Sequence, residues 1–364
     1  MRLLALDIGT GTQDILLLDT ADVVENAPQM IMPSPTLHIS RQIEDATRQG
    51  KDILLTGSLM GGGPCAWAAE AHRKAGYKVY ATERAALTFD DEIEKVKQSG
   101  VIVVSEDEAK RKKGKSLQRI EMKDLDVESI VKALGVMGAP TSIDGLAVGV
   151  LDHGNSPPGY SDRQFRFDHL KKVLESNDSL LAFAYLPQDL PDYLTRMKAL
   201  ITSESSQYPF VLLDTGVAAA LGAMEDPSVK ANDGLLLINM GNMHTLAFIL
   251  HYSYVKAFFE HHTGFLNTQK LDDYLLRFGK GKLSHEEVFK GMGHGVLYLK
   301  KSGLPQKTFA SLTGPKRHIL DGSVLKPYLA APYGSMMLTG CYGMARAFAH
   351  RYPQWKEEIE KALR

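Results

Sequence analysis

Cysteine is scarce in this chain of 364 residues, which contains only Cys65 and Cys341. Two cysteines so far apart in sequence cannot form a disulfide framework, and one chain cannot build a multi-cysteine metal or iron–sulfur site from them. Both lie among small apolar residues in segments with helical spacing, so we expect two buried, free thiols.

Long apolar runs and an excess of charge of one sign are also lacking. No segment approaches the roughly 20 apolar residues that a membrane span requires, and 42 basic residues balance 43 acidic ones. We therefore expect neither a membrane nor a nucleic acid to be the main partner. The first residues predict a strand rather than a charged leader with a cleavage site, which favours a cytoplasmic protein. Composition leaves the oligomeric state open.

The most informative segment is the N-terminal one, where two apolar runs flank a polar turn. Residues 3–6 are apolar, Asp7 follows, and a turn rich in glycine and threonine leads into a second apolar run at 15–18. Glycine lets the backbone approach phosphate oxygens, and N–H and hydroxyl groups in a tight turn can bind them. The pattern predicts a hairpin that holds nucleotide phosphates, with Asp7 facing Mg²⁺. An ordinary hairpin with a glycine turn is the alternative.

Strands alternate with helices along the rest of the chain, which predicts an α/β fold with a parallel or mixed sheet. One strand-to-helix turn, at 57–63, is rich in glycine and precedes a helix that starts at Pro64. Its exposed N–H groups could bind an anion, so Gly61, Gly62 and Gly63 are candidate substrate contacts. A tight connection without a ligand is the alternative.

The opening pattern returns in the second half of the chain. Residues 210–213 form an apolar run, Asp214 follows, and a helix rich in alanine and glycine comes next. The segment 235–250 then repeats the order of strand, polar glycine turn and strand. Two such turns facing each other would close on a nucleotide from both sides.

This order of elements resembles the actin-like ATPase superfamily, which includes actin, heat-shock chaperones and sugar kinases. DIGTGT (7–12) is similar to its first phosphate loop, and NMGNMHT (239–245) occupies the place of the second. DTGVAAA (214–220) resembles the first linking helix, FASLTGP (309–315) the adenosine turn, and 334–349 the second linking helix. Five elements in the right order are more specific than any one of them.

The resemblance implies an α/β fold of two ribonuclease H-like (actin-like) domains with a nucleotide cleft between them. The first domain would span 1–230 and carry an inserted α/β specificity region at about 21–207. The second would span 231–352, and a C-terminal helix at 353–364 would pack back on the first. ATP and Mg²⁺ are the implied cofactors.

The resemblance also implies roles for individual residues. Asp7 would face the metal, and Asp214 would orient the attacking water or nucleophile, although a plain helix N-cap is an equal alternative. Thr313 and Gly314 would accept the adenosine. The phosphates would contact residues of both loops. Those of the first loop are Gly9, Thr10, Gly11 and Thr12, and those of the second are Asn239, Gly241, Asn242, His244 and Thr245. The superfamily usually has an aspartate at the position of Asn239, so a carboxylate that would help to hold the metal is missing.

Three further residues are candidates near the cleft. Asp152 follows a predicted strand, where it could act as the base of a kinase or simply stabilise a loop. His261 and His262 end another predicted strand, and neighbouring strand residues point to opposite faces. We therefore expect one of the two to contact substrate or phosphate, in preference to a metal site.

Three other charged or titratable residues invite a simpler interpretation. Arg163 and Arg166 could bind a substrate anion, but a surface ion cluster is the favoured expectation. His294, between glycines, is predicted to be a loop residue.

The leading functional hypothesis is a small-molecule kinase that uses ATP and Mg²⁺. The alternatives are an ATP-driven switch that acts on a protein partner, and a nucleotide-binding module without turnover. Within the superfamily the chain resembles a prokaryotic family of unknown function whose members are often labelled as pyruvate formate-lyase activating enzymes. Radical chemistry is not supported, because an activator of that kind needs three cysteines for its iron–sulfur cluster.

Overall fold

The structure is a computed structural model that describes residues 1–299 and 303–364. The strands of the described residues are β1 (Arg2–Ile8), β2 (Thr12–Asp19), β3 (Gln29–Pro33), β4 (Asp52–Gly57), β5 (Val79–Thr82), β6 (Ile102–Val104), β7 (Leu117–Met122), β8 (Gly145–Val150), β9 (Phe210–Asp214), β10 (Gly234–Met240), β11 (His244–His251), β12 (Tyr254–His262), β13 (Gly293–Tyr298), β14 (Phe309–Thr313) and β15 (Tyr328–Leu329).

The α-helices of the same residues lie between these strands and after the last of them. They are α1 (Pro35–Arg48), α2 (Pro64–Lys74), α3 (Glu83–Ala86), α4 (Ile93–Gln98), α5 (Glu106–Arg111), α6 (Val127–Val136), α7 (Asp162–Ser176), α8 (Thr195–Ala199), α9 (Thr215–Ala223), α10 (Pro227–Lys230), α11 (Thr268–Gly279), α12 (His285–Lys290), α13 (Thr339–Arg351) and α14 (Lys356–Ala362). None of these helices is both long and apolar enough to cross a membrane.

The first sheet has the order β3-β2-β1-β8-β9. Strands β1 and β2 form the predicted antiparallel hairpin, and β8 and β9 continue the sheet in parallel with β1. Alternate residues of β1 belong to different hydrophobic clusters, Leu3 and Ala5 to one and Leu4 and Leu6 to another. Both faces of this sheet are therefore buried, which explains the continuous apolar runs of its strands.

The second sheet repeats this arrangement. Its order is β13-β12-β11-β10-β14-β15, in which β10 and β11 form the hairpin and β14 runs parallel to β10. Strand β13 is added antiparallel to β12 at the far edge. In both sheets the hairpin comes first and parallel strands extend its first strand, so the predicted fold of two ribonuclease H-like domains is confirmed.

A third, smaller sheet lies between β3 and β8 in sequence. Its four strands have the order β6-β5-β4-β7 and all run in parallel. Helices α1 and α2 pack on it around a separate hydrophobic cluster that includes Ile43, Leu55 and Cys65. This unit places the glycine turn after β4 beside the first sheet, where the site lies.

Two helices, α9 and α13, connect the sheets, and they cross where a glycine of each helix faces the backbone of the other. A Cβ atom on Gly222 of α9 would lie 1.7 Å from the carbonyl oxygen of Thr339, and one on Gly343 of α13 would lie 1.9 Å from that of Ala218. The two backbones therefore touch, which the small residues of both helices permit. After α13 the chain returns to the N-terminus, where Glu358 of α14 bonds the terminal amine at 3.2 Å.

Candidate functional site

A cavity of about 790 Å³ lies between the two large sheets and the inserted unit. The hairpin turns of both sheets, the glycine turn after β4 and the start of α13 form its walls. Most of the residues predicted from sequence line it: Asp7, Gly9, Thr10, Thr12, Gly61, Gly62, Gly63, Asp152, Asn239, Gly241, Asn242, His244, His262, Thr313 and Gly314.

Four predicted residues lie outside this lining. Gly11 is covered by the side chain of Asn242, whose Nδ2 would lie 2.2 Å from a Cβ at Gly11. Thr245 is fully buried, and its hydroxyl hydrogen-bonds that of Thr263 at 2.9 Å. His261 and Asp214 are also buried away from the cavity. Of the histidine pair, therefore, only His262 faces it.

The two hairpin turns face each other, and each is closed by its own backbone. The N–H of Gly9 donates to the carbonyl of Thr12, and the N–H of Gly241 donates to that of His244, both at 2.9 Å. The contact of Asn242 with the first turn joins them. The N–H groups of Gly9 and Gly241 therefore shape the turns, and phosphate contacts would fall to their other N–H and hydroxyl groups.

Two carboxylates stand side by side on the first hairpin. Asp7 and Asp14 are direct partners in the antiparallel register, so their side chains share one face. The hydroxyl of Thr215 donates to Oδ1 of Asp7 at 2.5 Å, and Asp7 packs against Gly340 at the start of α13. Oδ1 of Asp14 is buried and has no hydrogen-bond partner in the described residues.

The environment of this pair favours the protonated acids. Burial is the main cause that raises the pKa of Asp7 to about 7, and the charge of Asp214 adds to it. Burial and then the charge of Asp7 raise the pKa of Asp14 to about 8. Two close carboxylates ionise together less readily unless a cation neutralises their charge. The donor set, an orphaned oxygen beside a second carboxylate, therefore fits Mg²⁺, which prefers oxygen ligands.

Asp152 follows β8 and borders the cavity, but its carboxylate is engaged. Oδ1 accepts the N–H of Gly154 and Oδ2 accepts the N–H of Met197, both at 2.8 Å. Burial raises its pKa despite these bonds. The side chain thus holds the loop after β8 against α8. It could contact a substrate only through the lone pairs that these two hydrogen bonds leave free.

A buried arginine joins elements of both sheets. Arg166 of α7 is 1% exposed, so the expectation of a surface cluster was wrong for this residue. Its Nε contacts both oxygens of Glu260 at 2.9 and 3.1 Å, and Nη1 donates to Oδ2 of Asp214 at 2.7 Å. Asp214 also caps α9, since its Oδ1 accepts the N–H of Gly216. Asp214 therefore caps α9, and its role in orienting a water or nucleophile stays a prediction.

Arg163, one turn earlier, lies at the edge of the cavity. It donates to the carbonyl groups of Phe289 and Gly293 at 3.1 and 2.6 Å. These partners are neutral and Arg163 has no salt bridge in the described residues, so its charge is available to a ligand in the cavity.

Four histidines meet at the inner end of the cavity, and we call them the histidine cluster: His153, His244, His262 and His294. The rings of His244, His262 and His294 have centroids 4.8 to 4.9 Å apart. Nε2 of His153 lies 3.4 Å from Nε2 of His294. His294 lies on β13 and is fully buried, so the prediction of a loop residue was wrong.

Burial keeps these rings neutral. Burial, followed by the charge of Arg166, lowers the pKa of His153 to about 3. Burial also lowers the pKa values of the other three rings. A cluster of neutral imidazoles presents nitrogen lone pairs and no positive charge.

The turn after β14 forms another part of the cavity wall. The hydroxyl of Thr313 donates to Oδ1 of Asn239 at 3.1 Å, so the asparagine is tied to this turn. Gly314 has a φ of +102°, and a Cβ there would lie 2.4 Å from the carbonyl oxygen of Met240. Only glycine suits this position.

Sequence reasoning missed three residues of the site, Asp14, His153 and Thr215. Asp14 was visible in the hairpin, but it becomes a site residue only through its register with Asp7. His153 follows the singled-out Asp152, and only the three-dimensional fold shows the other histidines around it. Thr215 follows Asp214, and its hydrogen bond to Asp7 spans 208 positions in sequence.

The repeated sheet topology and the cavity between the repeats are those of the actin-like fold. Residues 60–319 match a family described as "Putative pyruvate format-lyase activating enzyme (DUF1786)", which is more than half of the chain. The chain belongs to this family. It has only two cysteines, buried in separate hydrophobic clusters, so it lacks the cysteines of a radical-generating iron–sulfur centre.

Solved structures give looser likenesses. The ethanolamine utilization protein EutJ from Carboxydothermus hydrogenoformans is 10% identical, with 96% of this chain and 89% of that chain covered and a TM-score of 0.33. The activator of the 2-hydroxyisocaproyl-CoA dehydratase from Clostridium difficile with bound ADPNP is also 10% identical, with 98% of each chain covered and a TM-score of 0.37. Among curated proteins, no relative matches the sequence.

Proposed function

We propose that this protein binds ATP with Mg²⁺ in the cavity and transfers a phosphoryl group to a small molecule. The main support is the meeting of both hairpin turns and the carboxylate pair Asp7 and Asp14 at one cavity. The phosphates would lie between the turns at Thr10, Thr12 and Asn242. The adenosine would lie at the turn of Gly314.

The residues of the chain suit this chemistry by position and charge. Asp7 and Asp14 would hold the cation, whose role when bound is to neutralise charge on the phosphates. Thr215 fixes the orientation of the Asp7 carboxylate through its hydrogen bond. Donors held in rigid turns stabilise charge without reorganising during the reaction, which is the usual source of phosphoryl-transfer catalysis.

The inserted unit would bind the acceptor. Its side of the cavity has more acidic than basic groups. Asp90, Asp91 and Glu92 lie on the insertion and Asp162 at the start of α7, against Lys95, which pairs with Glu92, and Arg163. Burial, followed by the charges of Asp162 and Asp90, raises the pKa of Asp91 to about 6. Such a wall repels carboxylates and phosphates and can accept hydrogen bonds, so we propose an acceptor with hydroxyl or amino groups.

The experiment is a turnover assay with ATP, Mg²⁺ and pools of neutral, cationic and anionic metabolites. ADP formation that depends on a hydroxyl- or amino-bearing pool supports the kinase. Equal ADP formation with and without every pool contradicts it and points to the switch.

A second function, nucleotide binding without turnover, is favoured by one observation. Asn239 provides an amide where the superfamily usually has a carboxylate, and its oxygen is already bonded to Thr313. A thermal shift with ATP and Mg²⁺ but no ADP under any condition would support this module. The absence of any ATP binding would contradict both functions.

A further inference from the structure

We propose that His153, His244 and His294 bind a divalent transition-metal ion at the inner end of the cavity. The site would take a metal of the class that imidazole prefers, represented by Zn²⁺. It is separate from the carboxylate pair proposed for Mg²⁺, and it does not depend on nucleotide binding.

The geometry is close to that of a metal site. One nitrogen from each of the three rings lies within 4.8 Å of the others. The Nε2 atoms of His153 and His294 are 3.4 Å apart. In a tetrahedral site with zinc–nitrogen bonds of about 2.0–2.1 Å, two ligand atoms lie about 3.4 Å apart. Small ring rotations would bring the remaining pairs to this distance.

Nε2 of His153 and Nε2 of His294 can hydrogen-bond each other, but hydrogen bonding within the protein leaves one nitrogen of His244 and one of His294 unpaired. Nδ1 of His244 and Nδ1 of His294 are buried and have no hydrogen-bond partner in the described residues. Leaving a buried polar atom unpaired is costly. A metal bound at Nε2 of His294 would leave Nδ1 of that ring unpaired, so this argument rests on His244. Nδ1 of His244 lies 3.6 Å from Oε1 of Glu260. This carboxylate could accept a proton from the ring while the other nitrogen binds the metal, an arrangement typical of metal-ligating histidines.

The donor set selects the class of metal. Three neutral nitrogen donors suit Zn²⁺, Co²⁺, Ni²⁺ or Fe²⁺, whereas Mg²⁺ requires oxygen. Three protein ligands leave a fourth position open, as in catalytic zinc sites. His153 and His244 line the cavity, so this position would face a ligand there. Because His153 follows β8 and the other two lie on β11 and β13, the metal would also tie the two domains together.

The experiment is calorimetric titration of the chelator-stripped, full-length protein with Zn²⁺ and with Co²⁺, without nucleotide. We expect one ion per chain and visible absorption bands of nitrogen-coordinated Co²⁺. His153→Ala, at the partly exposed ring, should weaken Zn²⁺ binding by at least about 100-fold. The matched control is His251→Ala, at the opposite end of β11, which should leave the affinity unchanged.

X-ray absorption of the zinc-loaded wild-type protein keeps the test valid should the variant fail to fold. Three imidazole ligands at about 2.0–2.1 Å are expected. Absence of stoichiometric binding, equal affinity in His153→Ala, or a zinc shell with fewer than three nitrogens would overturn the proposal. Each of these results leaves Mg²⁺-dependent ATP binding to be measured separately.

Discussion

Replacement of Asp14 by asparagine should stabilise the metal-free protein at alkaline pH. Asp14 is 6% exposed, and its pKa rises from 3.8 to about 8 on folding. The folded chain therefore binds more protons than the unfolded chain between these values, and the free energy of unfolding falls as pH rises through this window. At about 1.4 kcal/mol per pH unit, the full effect is about 6 kcal/mol, an upper limit that relaxation and water reduce.

Asparagine has nearly the same shape and no charge, so Asp14→Asn removes this loss. In EDTA at pH 8.5 we expect its thermal midpoint to exceed that of wild type by about 5 °C, with a smaller difference at pH 5. Mg²⁺ should raise the thermal midpoint of wild type more than that of the variant, because the variant lacks one of the two carboxylates that would bind the ion.

The assay is differential scanning calorimetry across pH 5 to 8.5, with and without Mg²⁺. Asp45→Asn, at an exposed carboxylate of α1, is the matched control and should follow the wild-type pH profile. If the thermal midpoints of Asp14→Asn and wild type depended equally on pH, the inference that burial beside Asp7 raises the pKa of Asp14 would be refuted.

Three other substitutions test the remaining parts of the site. Asp7→Ala should abolish Mg²⁺-dependent nucleotide binding in calorimetric titration, because the proposed metal then loses a carboxylate. Arg166→Met leaves Glu260, which is 0% exposed, without its cation, and should cost about 3–5 kcal/mol, read as a lower thermal midpoint. Gly222→Ala places a Cβ at 1.7 Å from the Thr339 carbonyl, so it should force α9 and α13 apart and lower the midpoint by several degrees.

Matched controls separate these effects from general damage. Asp45→Ala should keep nucleotide binding. Arg277→Met removes a partly exposed arginine that also pairs with two carboxylates, and it should cost less than about 1 kcal/mol. Gly279→Ala, with no atom within 4 Å of the added Cβ, should leave the midpoint nearly unchanged. Equal losses in a variant and its control would contradict the corresponding reasoning.

The hairpins could be predicted from sequence because their signals are local. Apolar runs, an acidic residue and a glycine turn stand next to each other in the chain, and the second hairpin repeats the first. The burial of Arg166 could not be predicted in this way, since its partner Glu260 is 94 positions away. His294 was assigned to a loop because glycines flank it, yet those glycines pair with β12 as an edge strand. Contacts between residues far apart in sequence, which have no local signal, decide both cases: an ion pair for Arg166 and strand pairing for His294.

The crossing of α9 and α13 has a mechanical consequence. Helices α9 and α13, which connect the large sheets, touch backbone to backbone at Gly222 and Gly343. We therefore expect any rotation of one sheet against the other to pivot at this contact. Gly340, one turn before Gly343, rests on the carboxylate of Asp7. Such a rotation would therefore move the start of α13 against the carboxylate of Asp7, which belongs to the metal site proposed above.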